Sequence, residues 1–138
     1  MRQKQIQLTV PTNGNGFYLI DKEVSSAVTH SEIVTGMCTV FILHTSASLV
    51  IQENADPAVL RDLESWMSEI VPESRNWEHD EEGPDDMPAH VRSLLTATSI
   101  SIPVSDSKLC LGTWQGLFLW EHRAAANNRK LIVHVHGE

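Results

Sequence analysis

The sequence predicts an α+β fold in one domain, and three observations carry that reading. Apolar residues keep helical spacing in segments that open on Asp21, on Asp56 and on Asp85 or Asp86. The other apolar runs are short or alternating, as strands require, and no long helical pattern remains after residue 98. The 138 residues, 41% of them hydrophobic, can bury one core but leave no room for a second of full size.

Residues 3–10 alternate, with Gln3, Gln5, Gln7 and Thr9 on one face and Lys4, Ile6, Leu8 and Val10 on the other, which predicts a half-buried strand. The turn residues of 11–16 predict a hairpin to a second strand at 17–20. Asp21 is placed to cap a helix whose stripe of Val24, Ala27, Val28 and Ser31 runs toward Gly36. Residues 37–43 form a nearly unbroken apolar run, expected to be a strand buried on both faces, and 49–51 a further strand. Asp56-Pro57 opens a helix that Pro72 ends, with Trp66 and Met67 expected in the core.

After an acidic loop containing Gly83-Pro84, Asp85 or Asp86 caps a short helix through Pro88, with Val91, Leu94 and Leu95 as its apolar stripe. His90 falls in its first turn, near the positive dipole end that keeps an imidazole neutral and fit to ligate a metal. Strands are expected at 98–104, 108–111, 117–123 and 130–136. The pair Gly112 and Gly116 predicts a bulge or a close backbone approach.

Charge and motifs exclude several classes. With 10 basic against 18 acidic residues the net charge is −8, which disfavours a nucleic acid partner. The start of the chain lacks the apolar region of a signal peptide, and no apolar run is long enough to span a bilayer, so no membrane partner is expected. Cys38 and Cys110 form no CxxC pair, which fits a reducing cytoplasm. Phosphate-loop, dinucleotide-loop and serine-elbow motifs are absent.

Chemistry-bearing side chains concentrate in residues 77–90, which hold six carboxylates and two imidazoles. Such groups can ligate a cation or move protons, although a plain acidic loop is only a solvated face. Glu121, His122 and Arg123 end an apolar strand, and either the strand runs out to solvent there or the three line a polar pocket. His44 ends another apolar run beside Thr45, Ser46 and Ser48, either as a capped or exposed histidine or as part of a site shared with His90, His122 and the carboxylates. His134 and His136 share one face of the last strand, a two-ligand clamp or a solvated or subunit-facing surface. His30 is expected on the surface.

The blocks 44–48 (HTSAS), 53–57 (ENADP), 82–90 (EGPDDMPAH), 111–116 (LGTWQG) and 121–123 (EHR) together resemble the YjbQ-like family, whose members are described as secondary thiamine-phosphate synthases. The resemblance implies a single YjbQ-like domain over 1–138, an antiparallel β-sandwich packed against a few helices and assembled as a homotrimer with pockets near subunit boundaries. It implies a small phosphorylated substrate: a pyrimidine pyrophosphate joined to a thiazole phosphate with loss of pyrophosphate. A metal-dependent hydrolase of a phosphate ester and a non-catalytic trimeric metal- or metabolite-binding protein are the alternatives.

On this chain the resemblance implies that His44, His90 and His122 face one pocket as metal ligands, with His79 behind them. Glu53, Asp85, Asp86 and Glu121 would be ligands, their partners or proton carriers, and Thr45, Ser46, Ser48 and Arg123 would hold phosphate. A divalent ion, Mg or Zn, would neutralise the departing pyrophosphate. Gln52, Trp77 and the His134-Val135-His136 tail depart from the family pattern and bear on substrate preference. Within the acidic stretch, 78–81 is expected to be a solvated loop and 82–90 to carry the site.

Overall fold

Period-two alternation produces eight strands and helical spacing three helices in the computed structural model, which describes residues 1–138. In chain order they are β1 (Arg2–Asn13), β2 (Gly16–Leu19), α1 (Asp21–Ser31), β3 (Gly36–Ile42), β4 (Ala47–Glu53), α2 (Pro57–Ile70), α3 (Asp86–Leu95), β5 (Ser99–Ser105), β6 (Lys108–Leu109), β7 (Gln115–Glu121) and β8 (Ala126–Gly137). One sheet has the order β1-β8-β3-β5-β6 and the other β2-β7-β4, and every pairing is antiparallel.

The inward faces of the two sheets meet in the main core. Leu131, Val133 and Val135 of β8 and Cys38, Val40 and Ile42 of β3 join Leu49 of β4 and Leu117 and Leu119 of β7, while Val24, Ala27 and Val28 of α1 close one flank. Each Val, Leu or Ile side chain so buried stabilises the fold by about 1.5–3 kcal/mol. The other face of the smaller sheet is covered by helices, where Trp120 packs with Met67 and Val71, and Val91 of α3 lies against them. Glu64 on α2 accepts a hydrogen bond from Trp120 Nε1 at 2.6 Å, which fixes the helix to the sheet. Strand β7 therefore lies between two apolar layers, and each of its residues from Gly116 to Glu121 is buried. No helix is long and apolar enough to cross a membrane.

The α+β expectation holds, but several local readings are corrected. β1 and β2 do not form a hairpin: β1 pairs with β8 and β2 with β7, because Gly14 and Gly16, at φ of 101° and 141°, carry the chain from one sheet to the other. Tyr18 ties that corner, its hydroxyl accepting from Asn13 N and donating to Gly14 O, each at 2.8 Å. Asp21 does not cap α1 but accepts from Leu117 N at 2.6 Å, and the helix ends at Glu32, in the left-handed region, before Gly36. Strand β3 is buried on one face only, since nothing covers the other and Phe41 is 46% exposed.

In α2 the Asp56-Pro57 start is as expected, with Asp56 accepting from Ala58 N at 2.9 Å, but only Met67 enters the core and Trp66 faces outward. In α3 the apolar stripe is displaced: Leu94 and Leu95 are exposed, and the buried positions are Asp86, Pro88, Ala89, Arg92 and Ser93. Polar side chains take the inward face because partners wait there, as when Arg92 donates to Val71 O at 2.9 Å and Ser93 to Ala47 O at 3.3 Å. Gly116 does mark a close approach, since a Cβ there would lie 2.9 Å from Asn54 Cβ.

Candidate metal centre

At the end of β7 three successive residues leave in three directions. Glu121, on the face toward the larger sheet, is fully buried and bound on both oxygens. Oε1 accepts from Thr12 Oγ1 at 2.6 Å and Arg129 Nε at 2.7 Å, and Oε2 from Arg129 Nη2 and from Arg123 N at 3.2 Å. Burial alone would raise its pKa, but the hydrogen bonds from Arg129, Thr12 and Arg123 N outweigh it and hold the carboxyl below the usual range. His122, on the helix-facing side, is buried with Nε2 2.9 Å from Ser48 Oγ. Burial first and the charge of Arg92 second push its pKa down to about 3, so the ring is neutral.

Arg123 reaches out of the strand and gathers the start of α3. Its Nε donates to Asp85 Oδ2 at 3.0 Å, Nη1 to Asp86 Oδ1 at 2.7 Å and Nη2 to Glu82 O at 2.8 Å. Ala124 N adds a bond to Asp85 Oδ2 at 2.9 Å. Burial favours the neutral Asp85 carboxyl, yet the Ala124 N–H and the Arg123 guanidinium prevail and lower its pKa. These partners explain why neither aspartate makes the side-chain cap expected of it: Asp85 stands at the cap position with its carboxylate already engaged.

The same arrangement leaves one oxygen open. Asp86 is 2% exposed, Oδ1 is held by Arg123, and Oδ2 is buried without a hydrogen-bond partner. That oxygen lies 3.1 Å from His79 Nε2 and 3.4 Å from His90 Nε2, and the ligand atoms of the three residues all fall within 4.8 Å of one another. His90 donates from Nδ1 to Thr45 O at 3.0 Å, which turns its Nε2 toward Asp86. A backbone carbonyl behind one ring nitrogen is the usual way a ligating imidazole is oriented. An Nε2 lone pair facing a carboxylate oxygen at this distance calls for positive charge between them, a proton or a metal ion.

His79 arrives from the acidic loop and also meets Glu82 Oε2 at 2.7 Å. That hydrogen bond raises its pKa, with burial opposing and the charges of Glu82 and Asp86 adding to the rise. The donor set of two imidazole nitrogens and one carboxylate oxygen fits a divalent first-row ion, and a buried, unpartnered Asp86 Oδ2 is the atom such an ion would satisfy.

The other expected site residues are distributed more widely. His44 lines a cavity of about 220 Å³ with Thr45, His90, Ser93, Leu94 and Thr98, while its Nε2 accepts from Lys130 N at 2.8 Å. Burial and then the charge of Arg129 lower its pKa. The expectation that His44, His90 and His122 face one pocket is corrected: His44 and His90 share the cavity, but His122 lies beneath the surface with Ser48, because alternation along β7 turns it into the helix-covered layer. Ser46 is engaged by Arg129, whose Nη2 reaches its Oγ at 3.0 Å and its carbonyl at 3.2 Å. Thr45 is exposed beside His90.

Glu53 is remote, since it ends β4 opposite Gln115 whereas Ala47 starts it opposite Glu121, a span of about 20 Å at the strand rise. Arg129 and Thr12 complete the Glu121 cluster, and neither is among the site residues expected from the sequence. A signal existed: Arg129 has the same parity as Leu131, Val133 and Val135, and Thr12 as Val10, so both fall on core faces. The resemblance places His79 behind His44 and His122, yet it is His79 that lies beside Asp86 and His90.

Fold and site together define a small antiparallel α+β protein with a histidine–carboxylate cluster at the start of a helix. Residues 4–138 match the family described as UPF0047 protein YjbQ-like, and the chain belongs to that family. A UPF0047 protein of Synechocystis sp. is 53% identical over 99% of this chain and 94% of its own length. The UPF0047 protein YjbQ of Salmonella typhimurium is 41% identical over 97% of this chain and 98% of its own. Among solved structures, a yjbq/upf0047 family protein from Clostridium acetobutylicum superposes with a TM-score of 0.87 at 34% identity, covering 95% of this chain and 99% of that one. A YbjQ-like protein from Sulfolobus solfataricus gives a TM-score of 0.87 at 26% identity, with 99% of each chain covered.

Proposed function

We propose that this chain is a divalent-metal-dependent enzyme acting on phosphorylated small molecules, with thiamine-phosphate synthase-like transfer as its reaction. The observation that supports the metal most directly is Asp86 Oδ2, buried and unpartnered between two imidazole nitrogens. Zn suits a nitrogen-containing set, and Mg suits the site if substrate phosphates complete its shell. When bound, the ion supplies positive charge to the departing pyrophosphate. Arg123, the cationic side chain at the cluster, is committed to Asp85, Asp86 and Glu82 O and does not supply that charge.

In this reading Arg123 fixes Asp86, the Thr45 carbonyl fixes His90, and the cavity beside His90 takes one substrate, with His44 and the exposed Thr45 on its wall. Assembly as a homotrimer belongs to the same proposal. Leu94, 80% exposed at the rim of that cavity, and the exposed Leu95 and Leu43 are apolar surface that a second subunit would cover. The second reading, a phosphate-ester hydrolase, is favoured by the imidazole content of the cluster, which matches the donor sets of hydrolytic zinc enzymes.

The test incubates metal-reconstituted protein with the pyrimidine pyrophosphate and the thiazole phosphate and measures thiamine phosphate by chromatography. Product from the wild type and none from Asp86→Asn is the expected result; equal product from both, or none from either, overturns the synthase reading. Release of nitrophenol from nitrophenyl phosphate by the same two preparations scores the hydrolase. Light scattering should return three times the 15.4 kDa chain mass, and a monomer removes the trimer.

A further inference from the structure

We propose a second metal site, for copper, on the uncovered face of the larger sheet, formed by His134 and His136 of β8 with Met37 of β3. It is separate from the cluster at the start of α3 and uses none of its residues. Within β8 the inward positions Leu131, Val133 and Val135 are buried, so the alternate positions His134 and His136 project together from the outer face, both half-buried. Their ring centres are 5.8 Å apart. An imidazole bound at about 2.0–2.1 Å holds its centre roughly 3 Å from the ion, so two rings on one ion have centres about 5–6 Å apart.

Three further observations favour ligation over a solvated pair. First, His134 Nδ1 donates to Gln5 Oε1 at 3.0 Å, which leaves the Nε2 lone pair free and the ring oriented, as a ligand imidazole requires. Second, Met37 stands directly across from His136 in the β3–β8 register and diagonally from His134, which places a thioether-bearing residue on the same face as both imidazoles. Third, β8 is hydrogen-bonded on both sides, to β1 and β3, so the histidine positions are held by the ladder before any ion arrives.

The remaining neighbours in register are Gln3, Gln5 and Thr39, none of them a carboxylate. A neutral set of two imidazoles and one thioether is poor for Mg or Ca and suits copper, with the thioether favouring the Cu(I) state.

The experiment titrates Cu(I) without oxygen against bicinchoninate, a chromogenic competitor, using the Cys110→Ser chain so that the exposed thiol does not take the metal. One tight equivalent is expected. Adding His134→Gln and His136→Gln should weaken it by about tenfold or more. Met37→Leu should weaken Cu(I) while leaving the Cu(II) affinity of the His134–His136 pair within about twofold, and Asp86→Asn should leave the tight Cu(I) equivalent unchanged. Unaltered copper affinity in the double histidine variant overturns the proposal. So does the absence of a tight equivalent in the Cys110→Ser chain, or its loss in Asp86→Asn.

Discussion

Glu121 and Asp86 are both buried carboxylates paired with arginine, yet the two clusters are built to opposite ends. Glu121 has partners on both oxygens, from Arg129, Thr12 and a backbone N–H, and no polar capacity is left over. Asp86 is held on Oδ1 alone, and its Oδ2 is aimed at two imidazoles. Three residues of sequence, 121–123, serve both clusters, with Arg123 giving its N–H to one and its guanidinium to the other. A saturated buried pair holds the sheets in register, whereas an unsaturated one is a site that awaits a ligand.

The sharpest way to break the contrast is to remove one partner from the saturated cluster. Glu121→Ala strands a buried Arg129 and should destabilise the fold by about 3–5 kcal/mol, read as the urea midpoint with an unchanged slope. A loss under 1 kcal/mol, on the order of a surface pair, would mean that the cluster is not structural. In the unsaturated cluster the large effect should fall on binding. Asp86→Asn should weaken divalent-ion affinity by about 100-fold or more by calorimetry, beyond what loss of an outer hydrogen bond achieves.

His122 supplies the pH arm of the comparison. Its folded pKa of about 3 lies below the ordinary 6.5, so between those values the unfolded chain binds more protons and stability falls as pH falls. Between pH 6.5 and pH 5 the expected loss is about 2 kcal/mol, and His122→Asn should flatten that slope. His44, also lowered, adds to the loss with the same sign. The smallest effect belongs to His79→Gln: exposed and delivered from the acidic loop, it should cost about tenfold in ion affinity and leave the urea midpoint in place.

The fold class was legible because period and punctuation agree in most segments, as in the Asp56-Pro57 start of α2 and the alternating strands β1 and β5. What escaped was set by partners distant in sequence. Asp21 caps nothing because Leu117 N lies nearer, and β2 leaves β1 because β7 offers it a ladder. For the site, residues 77–90 stand out by composition, and the family resemblance narrows that stretch to 82–90, which holds Asp85, Asp86 and His90.

His79 and His122 exchanged ranks for a physical reason. An apolar flank turns an imidazole inward, where burial keeps it neutral, while an acidic loop can fold back and deliver one to a carboxylate. Arg129 was readable from parity alone, but its partner Glu121 lies across the turn between β7 and β8, and spacing gives no distance.

One measurement bears most directly on the unsaturated cluster. Crystals grown with one equivalent of Zn, measured at the zinc absorption edge, should give an anomalous difference peak among His79 Nε2, His90 Nε2 and Asp86 Oδ2, absent in Asp86→Asn. A map with no peak there, or with the same peak retained in Asp86→Asn, would contradict the assignment of this cluster as the metal centre.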